Sequence, residues 1–99
     1  MTEFEQFTLQ NAIERFGINC QLGKLAEECG ELTQAAMKSM YAEDFNASLW
    51  HLAEEMADVE IVIDQFRLAF PQLIDGPMGD WREKKIDYLA ILVEEASCG

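Results

Sequence analysis

The sequence predicts an all-α chain of four helices in a bundle-like arrangement. Three observations lead there. No run of residues alternates strictly between apolar and polar, as a half-buried strand requires. Capping and breaking residues divide the chain into four helix-length segments. Within the two middle segments, apolar residues recur at helical spacing around a repeated acidic motif.

Thr2 followed by Glu5 forms a capping-box pattern, so a first helix is expected over Glu3–Phe16, with Gly17 as its stop. Asn19 suits the cap of a second helix over Cys20–Met40, and residues Tyr41 to Asn46 read as a connection. Asn46 would cap a third helix over Ala47–Phe70, closed by Pro71. The Pro- and Gly-bearing stretch Pro71–Gly79 reads as a loop, after which Asp80 caps a last helix over Trp81–Ala96.

The chain has 99 residues, about half of them hydrophobic, so residues 1–99 are expected to form a single folded domain rather than a disordered one. A lone bundle of that size is marginal, which favours an oligomer that buries more surface. The formal net charge of −12 argues against a nucleic-acid polymer or an anionic membrane surface as partner. It leaves room for a single nucleotide if a cation inverts the sign locally. Three cysteines without zinc spacing, no signal-peptide pattern and no apolar run of membrane-spanning length point to a cytoplasmic setting. Cys29 reads as a small core residue.

The segment from Leu25 to Leu32 returns as the segment from Leu52 to Val59: Leu-Ala-Glu-Glu, any residue, a small residue, an acid, an aliphatic. At ~100° per residue, Glu28 and Glu31 lie ~60° apart on one helix face. Leu32, Leu25, Ala36, Cys29 and Leu22 form an adjacent apolar arc at ~40° to ~120° from Glu28. Glu55 is flanked by Val62 and Phe66 within ~20° on either side, and Asp58 borders the same arc. Each acidic pair stands about ten residues, ~15 Å, from the connection, so an antiparallel hairpin brings the pairs level. Four carboxylates that converge without neighbouring bases need a cation, because a buried unpaired charge is costly. Oxygen-only ligands without clustered histidines favour a hard ion such as Mg²⁺, with Mn²⁺ as substitute.

These residues carry a family resemblance. Glu27-Glu28-x-x-Glu31 followed by Glu55-x-x-Asp58 resembles the EExxE…ExxD signature of the MazG-like all-α nucleoside triphosphate pyrophosphohydrolases, over roughly Gln21 to Phe66. The resemblance implies Mg²⁺-dependent hydrolysis of a (deoxy)nucleoside triphosphate to the monophosphate and pyrophosphate, a nucleotide-pool housecleaning role, and a homodimer or homotetramer. It implies Glu28, Glu31, Glu55 and Asp58 as metal ligands. Glu27 aligns with the family's first acid, and Glu27 or Glu31 would serve as general base.

Around this core, Lys24 stands one turn before the acids and either contacts a phosphate or pairs with Glu28 or Glu31. Gln21 and Gln65 either bind substrate or stay exposed. His51, one turn before Glu55, is a weak candidate ligand. Glu54 and Glu60 read as solvated, as do Lys38, Arg82, Lys84 and Lys85. Trp50, Trp81, Tyr41, Phe16 and Phe66 are the aromatics available to stack on a base. Two rival readings remain: a nucleotide-binding bundle without turnover, and a structural interaction bundle with the acids exposed.

Overall fold

The computed structural model describes residues 1–97 and is all-helical, with four α-helices and no strand among the described residues. The helices are α1 (Glu3–Phe16), α2 (Ile18–Met40), α3 (Phe45–Ala69) and α4 (Gly76–Ser97), with a π-helical turn at Pro71–Asp75. The chain divides into two compact units, Met1–Ala69 and Phe70–Gly99.

In the first unit, α1 opens as the sequence predicts. The Thr2 hydroxyl accepts from the Glu5 N–H, and the Glu5 carboxylate accepts from the Thr2 N–H. One glycine then serves both α1 and α2. The Gly17 N–H donates to the Ile13 carbonyl, and the Gly17 carbonyl accepts from the Gln21 N–H. Gly17 has φ +92° and ψ 154°, a conformation essentially reserved for residues without a Cβ. It is also the cap of α2, so Asn19 lies inside that helix rather than capping it. At the start of α3 the cap is Asp44, whose Oδ1 accepts from the Ala47 N–H at 3.1 Å; Asn46 lies within the helix. Asp44 competes successfully because it precedes the first turn by the spacing that a cap requires.

α2 and α3 form the most extensive contact of this unit, and α1 packs on both. The chain order along them is antiparallel: Gln21 meets Gln65, while Glu28 and Glu31 meet Glu55 and Asp58. On α2 the shielded residues are Gln21, Leu25, Glu28, Leu32, Ala35 and Ser39; on α3 they include Ser48, Leu52, Glu55, Val59, Val62 and Phe66. Both series step alternately by four and three, the seam of two helices packed in coiled-coil fashion. Leu22, Cys29, Ala36 and Met56 fall off that seam and are exposed. This corrects the expected apolar arc, and Cys29 is not a core residue. On α2 the expected arc lies beside Glu28, whereas the seam runs through Glu28; on α3 the seam runs through Glu55, between Val62 and Phe66 as the spacing predicts. The buried apolar residues are Ile13, Ala35, Val59, Val62 and Phe66.

In the second unit, Pro71–Gly79 is helical rather than a loop. The Phe70 carbonyl accepts from the N–H groups of both Ile74 and Asp75 at 2.8 and 3.2 Å, which winds the π turn. Pro71 is the first residue of the π turn and Pro77 the second of α4, both in a first turn, where a missing N–H is tolerated. α4 therefore starts at Gly76, and Asp80 is inside it. Residues 81–96 are all exposed, among them Trp81, Ile86, Leu89 and Val93. The ammonium groups of Lys84 and Lys85 lie 5.3 and 5.8 Å from the centre of the Trp81 ring, a cation–π arrangement. Cys98 lies outside the described residues.

No atom lies within 4 Å of a Cβ built on Gly17, so a substitution there is opposed by backbone conformation alone. Gly17→Ala should therefore lower stability by about 1–3 kcal/mol. Urea unfolding is expected to show a lower midpoint with an unchanged slope.

Candidate metal and nucleotide site

The seam carries the chemistry. Glu28 and Glu55 occupy positions where a coiled-coil pair ordinarily buries aliphatic side chains, and both are more than nine-tenths buried, at 5% and 7% exposure. Glu31 is exposed and Asp58 half-buried, each three residues from its buried partner and hence on the same face. Carboxylate oxygens of Glu28, Glu31, Glu55 and Asp58 all lie within 4.8 Å of one another. Opposite ligands of one Mg²⁺ ion stand ~4.2 Å apart, so these oxygens need only a small contraction to share an ion.

Each buried carboxylate has a basic side chain near one oxygen and no partner at the other. The Lys24 ammonium lies 3.0 Å from Glu28 Oε1 and 3.8 Å from Glu27 Oε1. His51 Nε2 lies 3.6 Å from Glu55 Oε1. Glu28 Oε2 and Glu55 Oε2 are buried without a hydrogen-bond partner. A buried carboxylate oxygen left unpaired costs several times a typical hydrogen bond. The all-oxygen donor set, its spacing and these two orphaned atoms fit a hard divalent cation.

The same crowding acts on Glu31. The charge of Glu28 foremost, then loss of solvation and the charge of Glu55, push its carboxyl above the ordinary value. The hydrogen bond to Glu28, and next the charge of Glu27, hold the Lys24 ammonium above its ordinary value.

Beside the acids an open cleft of about 350 Å³ lies between the helices of the first unit. Glu28, Asp58 and Lys24 stand on its wall together with Gln21, Gln65 and Phe16. Gln21 and Gln65 are both buried, and the Gln21 amide donates to Gln65 Oε1 at 2.7 Å. Neither stays exposed.

The structure thus brings Glu28, Glu31, Glu55 and Asp58 together, with Lys24 and Gln21 on the adjoining wall. Glu27 is exposed, outside the four-acid set and beside Lys24. His51, Glu54 and Glu55 also offer ligand atoms within 4.8 Å of one another, an arrangement of one helix that shares Glu55 with the four-acid set. Of the aromatics, Phe16 reaches the cleft, Phe66 is core, and Trp50 and Tyr41 are exposed. The pairing of Gln21 with Gln65 and the place of Cys20 on the cleft wall were not singled out from sequence. The antiparallel register that levels Glu28 with Asp58 also levels Gln21 with Gln65, so the signal for that pair was present.

No protein-family model, no curated protein and no solved structure matches this chain.

Because the folded-state value of Glu31 lies above its ordinary 4.5, this group's contribution to stability is complete below that value. It is lost as pH rises through the raised value. With chelator present, Glu31→Gln should therefore melt above the parent at pH 7. The difference should shrink as pH falls toward about 4.5, and a thermal-shift series over that range measures it. Added Mg²⁺ should raise the parent's melting temperature and should do so less in Glu31→Gln.

Proposed function

We propose that this protein is a Mg²⁺-dependent nucleoside triphosphate pyrophosphohydrolase of the MazG-like kind. The observation that carries the reading is the convergence of four carboxylates, two of which have a buried, unpartnered oxygen. Glu28, Glu31, Glu55 and Asp58 would hold the ion, with Mn²⁺ as its substitute. A bound divalent cation would neutralise triphosphate charge and acidify a water molecule.

The chain's own groups then have separable tasks. A water oxygen forms a bond to the α-phosphorus, the bond between that phosphorus and the α,β-bridging oxygen breaks, and pyrophosphate leaves with the electron pair. Glu27 or Glu31 takes the water proton. Glu31 is the acid whose affinity for a proton is raised, and Glu27 is the one outside the ligand set. Lys24 stands where a phosphate oxygen could exchange with the Glu28 and Glu27 carboxylates for its ammonium. Gln21 binds substrate farther along the cleft.

The working form is a homodimer or homotetramer. A core of few buried apolar residues, with Leu22, Met37 and Met40 of α2 exposed, supports further burial by self-association. The role as a nucleotide-pool housecleaning enzyme follows from the family resemblance, and the cytoplasmic setting is inferred from the cysteine usage. Among the described residues no helix is long and apolar enough to cross a membrane.

A screen of the common nucleoside triphosphates with Mg²⁺, read by pyrophosphate release, tests the reading. Glu55→Gln keeps the side chain's shape and removes a buried charge, so the variant should fold. It should lose at least 10²-fold in turnover and lose the Mg²⁺-dependent rise in melting temperature. Magnesium-dependent nucleotide binding without pyrophosphate would favour the non-catalytic binder. Absence of any Mg²⁺ effect on melting would favour the structural bundle.

A further inference from the structure

The cleft beside the acids has two ends of different chemistry. Gln21 precedes Glu28 by two helical turns, and Gln65 follows Asp58 by two, so the amide end stands ~10 Å from the acidic end. Lys24 lies midway on the α2 wall. Between the ends the wall is apolar, with Val62 and Ile61 on α3 and Phe16 at the foot of α1.

Gln21 and Gln65 are each 6% exposed, and a buried side-chain amide offers one acceptor oxygen and two donor hydrogens. Their mutual bond uses one group of each. That leaves the Gln21 oxygen and the Gln65 nitrogen, and neither is among the buried polar atoms lacking a partner. Both residues line the cleft, the open space from which a ligand would meet these groups. Two apolar residues would pack these two buried positions at lower cost in desolvation. Rotating both amides by 180° preserves their bond and exchanges donor and acceptor.

We propose that the Gln21–Gln65 pair is the base-reading element of this site. It takes a nucleobase edge on which a hydrogen-bond donor adjoins an acceptor, in either order, with the ring held against Val62 and Phe16. This rests on the nucleotide reading above and goes beyond it by assigning which residues meet the base. The separation of the two ends matches a sugar and a ring placed beyond phosphates held at the acids. Because both amides answer to each other, a base edge with two acceptors would leave one amide group facing a like group, and an edge blocked by a methyl group would leave one without a partner.

The test is isothermal titration of the full chain with Mg²⁺ and ligands that resist cleavage. The probes are the α,β-imido analogues of dUTP and dCTP, the N3-methyl form of the dUTP analogue, and inorganic tripolyphosphate. At least one unmodified analogue should bind ten times or more tighter than tripolyphosphate, while the N3-methyl form should fall to within about threefold of it. Gln65→Met and Gln21→Met, which keep volume and remove the amide, should each erase most of the advantage of the base and leave tripolyphosphate affinity unchanged. Base-bearing probes no tighter than tripolyphosphate would overturn the inference while leaving the phosphohydrolase reading standing. So would an N3-methyl form that binds as well as its parent, or variants that weaken all probes equally. The N3-methyl comparison needs no variant, so it decides the matter even where a substitution prevents folding. If tripolyphosphate and the nucleotide analogues all fail to bind, the parent reading falls as well.

Discussion

Burial of charge is the constraint on which the first unit turns. Two carboxylates, Glu28 and Glu55, stand on the seam between α2 and α3, where apolar packing would give more stability. Lys24 and His51 approach the outer oxygen of each, and the inner oxygens have no protein partner. Such an arrangement fits the hard divalent cation proposed above. A second polar layer lies two turns away: Gln21 and Gln65 are buried, and their mutual hydrogen bond uses one group of each. Polar layers also penalise any slip of the helices, since a shift would leave a buried amide or carboxylate against an aliphatic neighbour. Thus the groups that weaken the seam are the ones that hold its register.

That register produces the site. The antiparallel run of α2 and α3 sets acids against acids at one level and amide against amide two turns away. α1 closes one side, and the sharp conformation of Gly17 delivers Phe16 to the cleft at the point where α2 begins. The resulting groove grades from strongly anionic, through a lysine, to neutral hydrogen-bonding groups over an apolar wall. In the proposed reading, the triphosphate and its cation occupy the first end and the base the last. The small apolar core and the exposed side chains of α2 are the features on which the proposed self-association rests.

Much of this was legible in the chain. The Thr2–Glu5 box, the glycine stop at residue 17 and the twin acidic motifs gave four helices and a level acidic cluster, because these signals are local or depend only on helical rise. Boundaries set by competing residues were less legible. Asp44 and Asn46 are both good caps, and only the wound structure selects Asp44. Pro71–Gly79 has a loop's composition, but prolines at first-turn positions tolerate helix, so the stretch winds instead. The apolar arc near Cys29 was misplaced for a related reason: hydrophobicity alone cannot say that a glutamate occupies the centre of a seam.

The sequence by itself determined the helical class and the acids that could share a cation, since these follow from capping chemistry, spacing and ~100° per residue. Tertiary structure decided which oxygens are buried and unpaired, which face of α2 is inward, and that Gln21 answers Gln65 across 44 residues of chain. Those facts depend on the relative rotation and register of two helices. Helical periodicity fixes how residues are placed around one axis, and only packing fixes how one axis is turned toward another.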